Sequence, residues 1–288
     1  MLNERFLYPL AKRFIAGYDF DSAKSKIQHL IDEGYEVSID YLGELSKNAK
    51  DCQDAVDQYV EITNFYKNQK IDMSIKPSQL GVLINPELCV VYLDKVSELA
   101  KSHGHSVRLD MEDSRVTEAT RNMAILLNGR YGNVGVAIQA NLHRTKKDLL
   151  PLINGRVSVR LVKGAYKENG EVALQQEEDI ELAFFNHFAD LLAASEHTCK
   201  NSRLAIASHD EELLGDILEM YPKASSTVDF EFLYGIRRDL QKKFKDEGKK
   251  VRIYVPFGAD WLPYATRRLK EWKNFKLVAK NIIKEWLS

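Results

Sequence analysis

The chain has 288 residues, 44% hydrophobic and 29% charged, with 15 glycines and 7 prolines, which excludes a disordered, collagen-like or linker-rich polypeptide. Lys plus Arg number 41 against 42 Asp plus Glu, so no global basic field exists to attract nucleic acid or an anionic membrane surface. The three cysteines, Cys52, Cys89 and Cys199, are too few and too scattered for a disulfide framework or a zinc site; a reducing, cytoplasmic setting is expected.

The N-terminus carries Glu4, Arg5, Lys12 and Arg13 through its apolar positions, which suits a helix rather than a secretory signal. Residues 20–34 place Ala23, Ile27, Leu30 and Ile31 on one helical face and end at Gly34, a C-cap residue. Eight short segments rich in β-branched residues follow, at 37–43, 72–76, 106–113, 134–140, 157–164, 203–209, 226–233 and 251–258. Helical segments are predicted between them at 51–68, 86–102, 114–127, 177–195, 210–220, 235–247 and 259–272, with the 141–155 connection the weakest. No segment reaches the roughly 18 uncharged apolar residues of a membrane span.

Strict β–α alternation demands crossovers and a parallel sheet, and eight repeats is the count that closes a (βα)8 barrel. A doubly wound sheet also alternates, but no GxGxxG turn follows the first strand. The expected organisation is one α/β TIM-type barrel domain over 1–288: N-terminal helices in 1–35, the barrel in 36–272 and a C-terminal helix in 273–288. In that last segment Phe275, Val278, Ile282 and Trp286 share a face. It could cap the barrel or touch anionic lipid as an interfacial helix.

Active sites of such barrels lie at the C-terminal strand ends. The polar residues there are Glu44, Lys76, Asp110 with Glu112, Gln139, Arg160 with Lys163, His209, Glu231 and Tyr254. Beyond the last strand, Tyr264, Arg267, Arg268 and Glu271 share a helical face. Any one of these alone reads as a solvated loop residue. The adjacent Arg267 and Arg268 are best explained by a carboxylate ligand, which guanidinium forks bind bidentately. Lys76 could add positive charge, and Asp110 could pair with Lys76 or with a substrate ammonium, so an amino acid fits. At Gly164–Ala165 a flat ligand could approach closely beside Arg160 and Lys163; strand alternation sends those two side chains opposite ways unless a bulge intervenes.

In order along the chain, RFIAG (13–17), SIDYLGE (38–44), RLDMED (108–113), AIQA (137–140), RLVKGAY (160–166), ASHD (207–210), LYGIRRDL (233–240), RIYVPFG (252–258) and YATRRLKE (264–271) resemble the proline dehydrogenases. These are flavin enzymes that share a barrel with the proline dehydrogenase domain of proline utilisation proteins. The resemblance implies oxidation of L-proline to 1-pyrroline-5-carboxylate by hydride transfer to N5 of FAD, with electrons passed to a quinone. It implies that Arg267, Arg268 and Lys76 bind the proline carboxylate, that Asp110, Leu233, Tyr254 and Tyr264 enclose its ring, and that Glu44 gates the site with Arg267. The resemblance also implies that Tyr254 favours proline over hydroxyproline. The FAD positions that the resemblance implies are Gln139, Arg160, Lys163, Gly164, Ala165, Tyr166, Ser208, His209 and Glu271, with Arg160 and Lys163 also assigned to catalysis.

Three departures stand out: Asn141 replaces an aromatic, strand seven reads Asp229-Phe230-Glu231 where relatives place Glu before Gln, and 171–183 lacks the Thr- and Lys-containing pattern set against the FAD adenosine. No metal is expected, since His103 and His105 lack completing ligands. A separate pyrroline-5-carboxylate dehydrogenase is the expected partner. The competing readings are a Schiff-base lyase using Lys163 or Lys76 and a flavin-binding barrel without turnover. Cys89 reads as a buried small apolar residue, and His209 as either a structural strand-end histidine or a flavin contact.

Overall fold

The computed structural model describes residues 11–197 and 202–274. Eight parallel strands close a barrel in sequence order, β1 (Glu36–Tyr41), β2 (Asp72–Ile75), β3 (Ser106–Leu109), β4 (Val134–Gln139), β5 (Ser158–Val162), β6 (Leu204–Ala207), β7 (Asp229–Leu233) and β8 (Lys250–Phe257). Closure is made by β8 on β1, with Val37 opposite Ile253 and Asp40 opposite Pro256.

Helices alternate with the strands: α1 (Phe20–Asp32), α2 (Ala49–Phe65), α3 (Pro86–Ser102), α4 (Thr117–Tyr131), α5 (Thr145–Asn154), α6 (Glu177–His197), α7 (Glu211–Met220), the single turn α8 (Ala224–Thr227), α9 (Arg238–Asp246) and α10 (Trp261–Asn274). Local chemistry sets their starts. Asp19 and Ser22 form a reciprocal capping box on α1, Asn85 caps α3 ahead of Pro86 at its first position, and the Asp210 carboxylate caps α7 through Leu213 N–H. Gly132 ends α4 in the left-handed region at φ 70°.

The structure corrects several expected boundaries. Residues 110–113 and 163–164 leave their strands for the mouth, because ladder pairing stops where the loops turn over the barrel. Ser226 and Thr227 belong to α8 rather than to β7. Helix α10 runs through Asn274, across the expected break at 272. The weak connection is a true helix, α5, although Pro151 sits inside it. Residues 1–10 and 275–288, with Cys199, lie outside the described residues, as does the proposed C-terminal face.

The main core lies between barrel and helices. Val37, Ile39, Met73, Ile75, Val107, Leu109, Val136, Ile138, Val159, Leu161, Phe230 and Phe232 point outward onto the helices and are fully buried. Cys89 is buried in this layer, where desolvation pushes its thiol up to about 12. A smaller cluster at the mouth packs Phe14, Ile15 and Leu42 against Trp261, Tyr264 and Ala265 at the start of α10.

With the apolar side chains facing outward, strand alternation turns the polar ones to the barrel axis. TIM barrels fill that space mainly with bulky branched residues. Here Ser38, Asp40, Asp72, Ser74, Arg108, Arg160, Asp229, Glu231 and Arg252 are buried, and they bond to one another across the axis. Asp72 takes charge from Arg203 at 2.8 Å and from Arg160 at 3.8 Å. Burial would raise its carboxyl, but the surrounding arginines, Arg203 and Arg252 foremost, hold it well below the usual range. The barrel floor is therefore ionic.

Candidate active site

A cavity of about 350 Å³ opens at the C-terminal mouth, within the range of small-molecule sites. Its walls bring together most of the residues expected from sequence: Lys76, Asp110, Gln139, Arg160, Lys163, Gly164, Ala165, Tyr166, Ser208, His209, Leu233 and Tyr254 from the strand ends, and Tyr264, Arg267 and Arg268 from α10. Glu44 joins them through Arg267, accepting from Nη1 at 3.2 Å and from Nη2. The Arg268 guanidinium lies 5.4 Å from the Tyr264 ring centre. Glu271 is on α10, but its side chain lies outside the described residues.

Arg160 rises from β5 into the axis and sits at the base of the cavity. Its nitrogens donate to Glu231 (2.5 Å), Asp110 (2.9 Å), Ser38 (3.1 Å) and twice to Ser74 (3.2 Å). Those five contacts match the five N–H donors of a guanidinium. What remains for a ligand above it is its charge. Burial would lower Arg160, and the carboxylates of Glu231 and Asp110 instead hold it firmly protonated.

Asp110 links this base to the wall. Its other oxygen accepts from the Tyr254 hydroxyl at 2.6 Å, and the Tyr254 ring lies 5.3 Å from the Arg160 guanidinium carbon. Lys76 donates to Asp40 at 2.7 Å and to the Tyr254 hydroxyl at 3.3 Å, with Asp110 at 3.7 Å. Asp40 is thus the main partner of Lys76, where the sequence suggested Asp110. Burial disfavours the charged Lys76, and Asp40 and Asp110 outweigh it, so the amine stays an ammonium.

Lys163 lies just past the end of β5 and turns away from the Arg160 assembly. Its ammonium sits among Glu177 (2.7 Å), Glu181 (2.7 Å) and Asp210 (2.9 Å). Gly164 follows at φ +130°, and a Cβ there would lie 2.3 Å from Asn141 Oδ1. Gly164 lines the cavity while Asn141 fills the direction a Cβ would take, so the glycine is required by the backbone turn and by this close packing. Gln139 fastens the same loop, accepting from Ala165 N–H at 3.3 Å while donating to Glu112 O at 3.0 Å. Glu112 accepts from Ser78 N–H at 2.9 Å and from its hydroxyl.

The His209 ring nitrogen Nε2 accepts from Leu233 N–H at 3.0 Å. Burial, with Arg268 and Arg237 nearby, lowers its pKa to about 3, so His209 is a neutral imidazole with its proton on Nδ1. It contributes shape and a hydrogen bond, not charge. Ser208 Oγ accepts from Asp210 N–H at 3.2 Å. Burial also raises the Tyr166 phenol.

The motif reading did not single out Asp40, Met111, Ala137, Val162, Glu177, Ala207, Asp210 or Phe232, all but Asp40 in the cavity wall. Asp40 was legible as the polar partner of Ser38 on alternating positions of one strand; the apolar wall residues carry no signal that separates them from core. Among the described residues no cluster of His, Cys, Asp and Glu could hold a metal ion, and no helix is long and apolar enough to cross a membrane.

Fold and site together define a (βα)8 barrel whose polar chemistry is gathered around a cavity at the C-terminal mouth. A family model described as "Proline dehydrogenase" matches residues 23–276. Proline dehydrogenase 1 of Bacillus subtilis (strain 168) is 30% identical over 96% of this chain and 91% of its own length. Proline dehydrogenase of Deinococcus radiodurans is 31% identical over 98% and 93%. Among solved structures, proline utilization A from Bdellovibrio bacteriovorus, inactivated by N-propargylglycine, superposes with a TM-score of 0.83 at 23% identity, covering 92% of this chain and 33% of that one. The present chain thus spans about a third of that longer protein, and this likeness concerns the fold. The chain belongs to the proline dehydrogenase family, as the ordered motifs implied.

Proposed function

We propose that this chain oxidises L-proline to 1-pyrroline-5-carboxylate with FAD as its cofactor, in the first step of proline catabolism, and that a quinone takes the electrons. The observation that carries the reading is the pairing of Arg267 and Arg268 over a cavity whose base is the Arg160–Asp110–Tyr254 assembly, in a member of this family.

The arginine pair suits the proline carboxylate, with Lys76 as further positive charge. Asp110, Leu233, Tyr254 and Tyr264 enclose the ring, and the Glu44–Arg267 pair closes the mouth and excludes water. Proline oxidation removes a hydride from the ring carbon beside nitrogen and the proton on nitrogen, leaving a C=N bond. With the amine neutral, its lone pair expels the hydride, and no strong protein base is required. The residues then need only to orient the ring and to stabilise charge.

The cavity wall fits a flavin. Val162, Ala207 and Phe232 offer apolar surface, Gln139, Ser208 and the 163–166 loop offer polar edges, and Arg160 supplies a fixed positive charge at the base. Gln139, Arg160, Lys163, Gly164, Ala165, Tyr166, Ser208 and His209 would hold it. When bound, FAD supplies the hydride acceptor at N5 and the route by which the electron pair leaves for the quinone. A separate pyrroline-5-carboxylate dehydrogenase would complete the oxidation.

A Schiff-base lyase needs a lysine that gives up its proton. Lys76 and Lys163 are both pushed the other way, because the carboxylates around each outweigh the effect of burial, which argues against that reading. The test is the visible spectrum of the purified protein, followed by anaerobic L-proline. A flavin spectrum that bleaches supports the proposal. A flavin that proline leaves unchanged favours a barrel without turnover, and no flavin after FAD is supplied overturns the cofactor.

A further inference from the structure

One ammonium with three carboxylates is an uneven arrangement for the wall of a cavity. Glu177 and Glu181 stand one turn apart at the start of α6, and Asp210 comes from the cap of α7. All three converge on Lys163 within 2.9 Å. Counted as formal charges, the group carries an excess of two negatives. Lys163, Glu177 and Asp210 all line the cavity, beside Gly164, Ala165, Ser208 and His209. The cluster is reached by solvent on its α6 side, where the Glu177 side chain is 67% exposed, while the Lys163 side chain is only 21% exposed. It has no structural duty that needs three acids, since Asp210 meets its capping role with Oδ1 and turns only Oδ2 to the lysine.

We propose that Glu177, Glu181 and Asp210 form an acidic latch on Lys163, and that these carboxylates set how tightly this chain holds an anionic cofactor. This inference rests on the reading that the cavity takes FAD, whose diphosphate carries negative charge. An anion at that wall gains the lysine only by drawing it away from these carboxylates. The latch therefore weakens binding, and it does so through Lys163.

The experiment measures FAD dissociation by dilution of the full-length holoprotein, following the rise in flavin fluorescence, for the parent chain, Glu181→Gln, Lys163→Met and the double variant. Glu178→Gln serves as the charge control; Glu178 is exposed on the same turn of α6. Glu181→Gln is expected to hold FAD about three- to fivefold more tightly, the size of one partly exposed ion-pair contact. Lys163→Met is expected to hold it more weakly and to abolish the benefit of Glu181→Gln in the double variant. Equal or weaker retention by Glu181→Gln overturns the latch. So does the same gain in Glu178→Gln or in the Lys163→Met background, since either would mean general repulsion that does not act through the lysine. If the parent chain retains no flavin when supplied with FAD, the cofactor reading itself falls, a result distinct from a parent that binds and a variant that does not improve.

Discussion

Glu44, just past the end of β1, and Arg267, on α10, form a two-point ion pair across the mouth of the barrel, 223 residues apart in sequence. The pair joins the loop after the first strand to the helix after the last, so it spans the seam where β8 closes on β1. Both side chains are partly exposed, 22% and 28%, so the contact holds the mouth without locking it. Burial works against the Arg267 charge, and the bond to Glu44 more than restores it.

Glu44→Gln keeps the shape but loses the charge. A partly exposed pair of this geometry is worth about 1 kcal/mol, so the KM for proline should rise about fivefold while kcat changes less. Steady-state kinetics with an artificial acceptor reads this split. An unchanged KM would mean that closing the mouth contributes nothing to holding substrate.

Arg268→Ala removes one charge-assisted fork from the pair assigned to the substrate carboxylate. Such contacts are worth about 1.5 to 3 kcal/mol, so proline affinity should fall roughly 10- to 150-fold. Flavin content, measured on the same preparation, separates lost substrate binding from a lost cofactor. Full affinity in this variant would overturn the carboxylate assignment.

The architecture and most of the mouth were legible because they depend on local patterns. β-Branched runs alternating with helical periods specify the barrel, and the barrel specifies which strand ends converge. The base of the site was less legible. Glu231 was visible only as a polar strand-end residue and Asp40 only as a position alternating with Ser38; their bonds to Arg160 and Lys76 emerge only when the barrel turns Ser38, Asp40, Ser74, Arg160 and Glu231 onto one axis. The ligands of Lys163 were hidden for a different reason. Glu177, Glu181 and Asp210 are far from it along the chain and are brought to it by α6 and α7. The packing of Asn141 behind Gly164 was not legible either, because only the fold brings the two together.

His209 makes stability depend on pH in a defined window. Its folded pKa lies near 3, depressed first by burial and then by Arg268 and Arg237, against 6.5 ordinarily. Between those values the unfolded chain binds the proton and the folded one does not, so stability is full above about pH 6.5 and declines as pH falls toward 3. Across the whole window the contribution is about 5 kcal/mol. Thermal melts of His209→Asn between pH 7 and 4 should show a shallower loss than the parent chain; parallel curves would contradict a neutral buried imidazole.

Lys76→Met leaves Asp40 and Asp110 facing each other without the ammonium between them. Asp40 is fully buried, and burial already raises its carboxyl against the pull of Lys76. Removing one partner of a buried pair costs about 3 to 5 kcal/mol. Chemical denaturation at pH 7 should register that loss. Adding Asp40→Asn should recover part of it, because the uncompensated charge is then gone. A double variant no more stable than Lys76→Met would show that Asp40 is not the group left exposed.

Glu231 anchors the inner edge of Arg160 at 2.5 Å and lies 3.8 Å and 3.7 Å from Arg203 and Arg252. Burial alone would raise its carboxyl, but Arg160 and then Arg108, Arg203 and Arg252 bring it below its ordinary value. Glu231→Gln keeps an acceptor for Arg160 yet removes a negative charge from a floor crowded with arginines, and should cost about 3 to 5 kcal/mol at neutral pH. The sign of the pH dependence follows from the lowered pKa. The gap between parent and variant should be complete above about pH 4.3 and should narrow as the pH falls further, because the parent then protonates the same carboxyl. Denaturant midpoints at pH 7 and pH 4 measure both quantities, and a gap that widens in acid would show that Glu231 is not the charge that balances the floor.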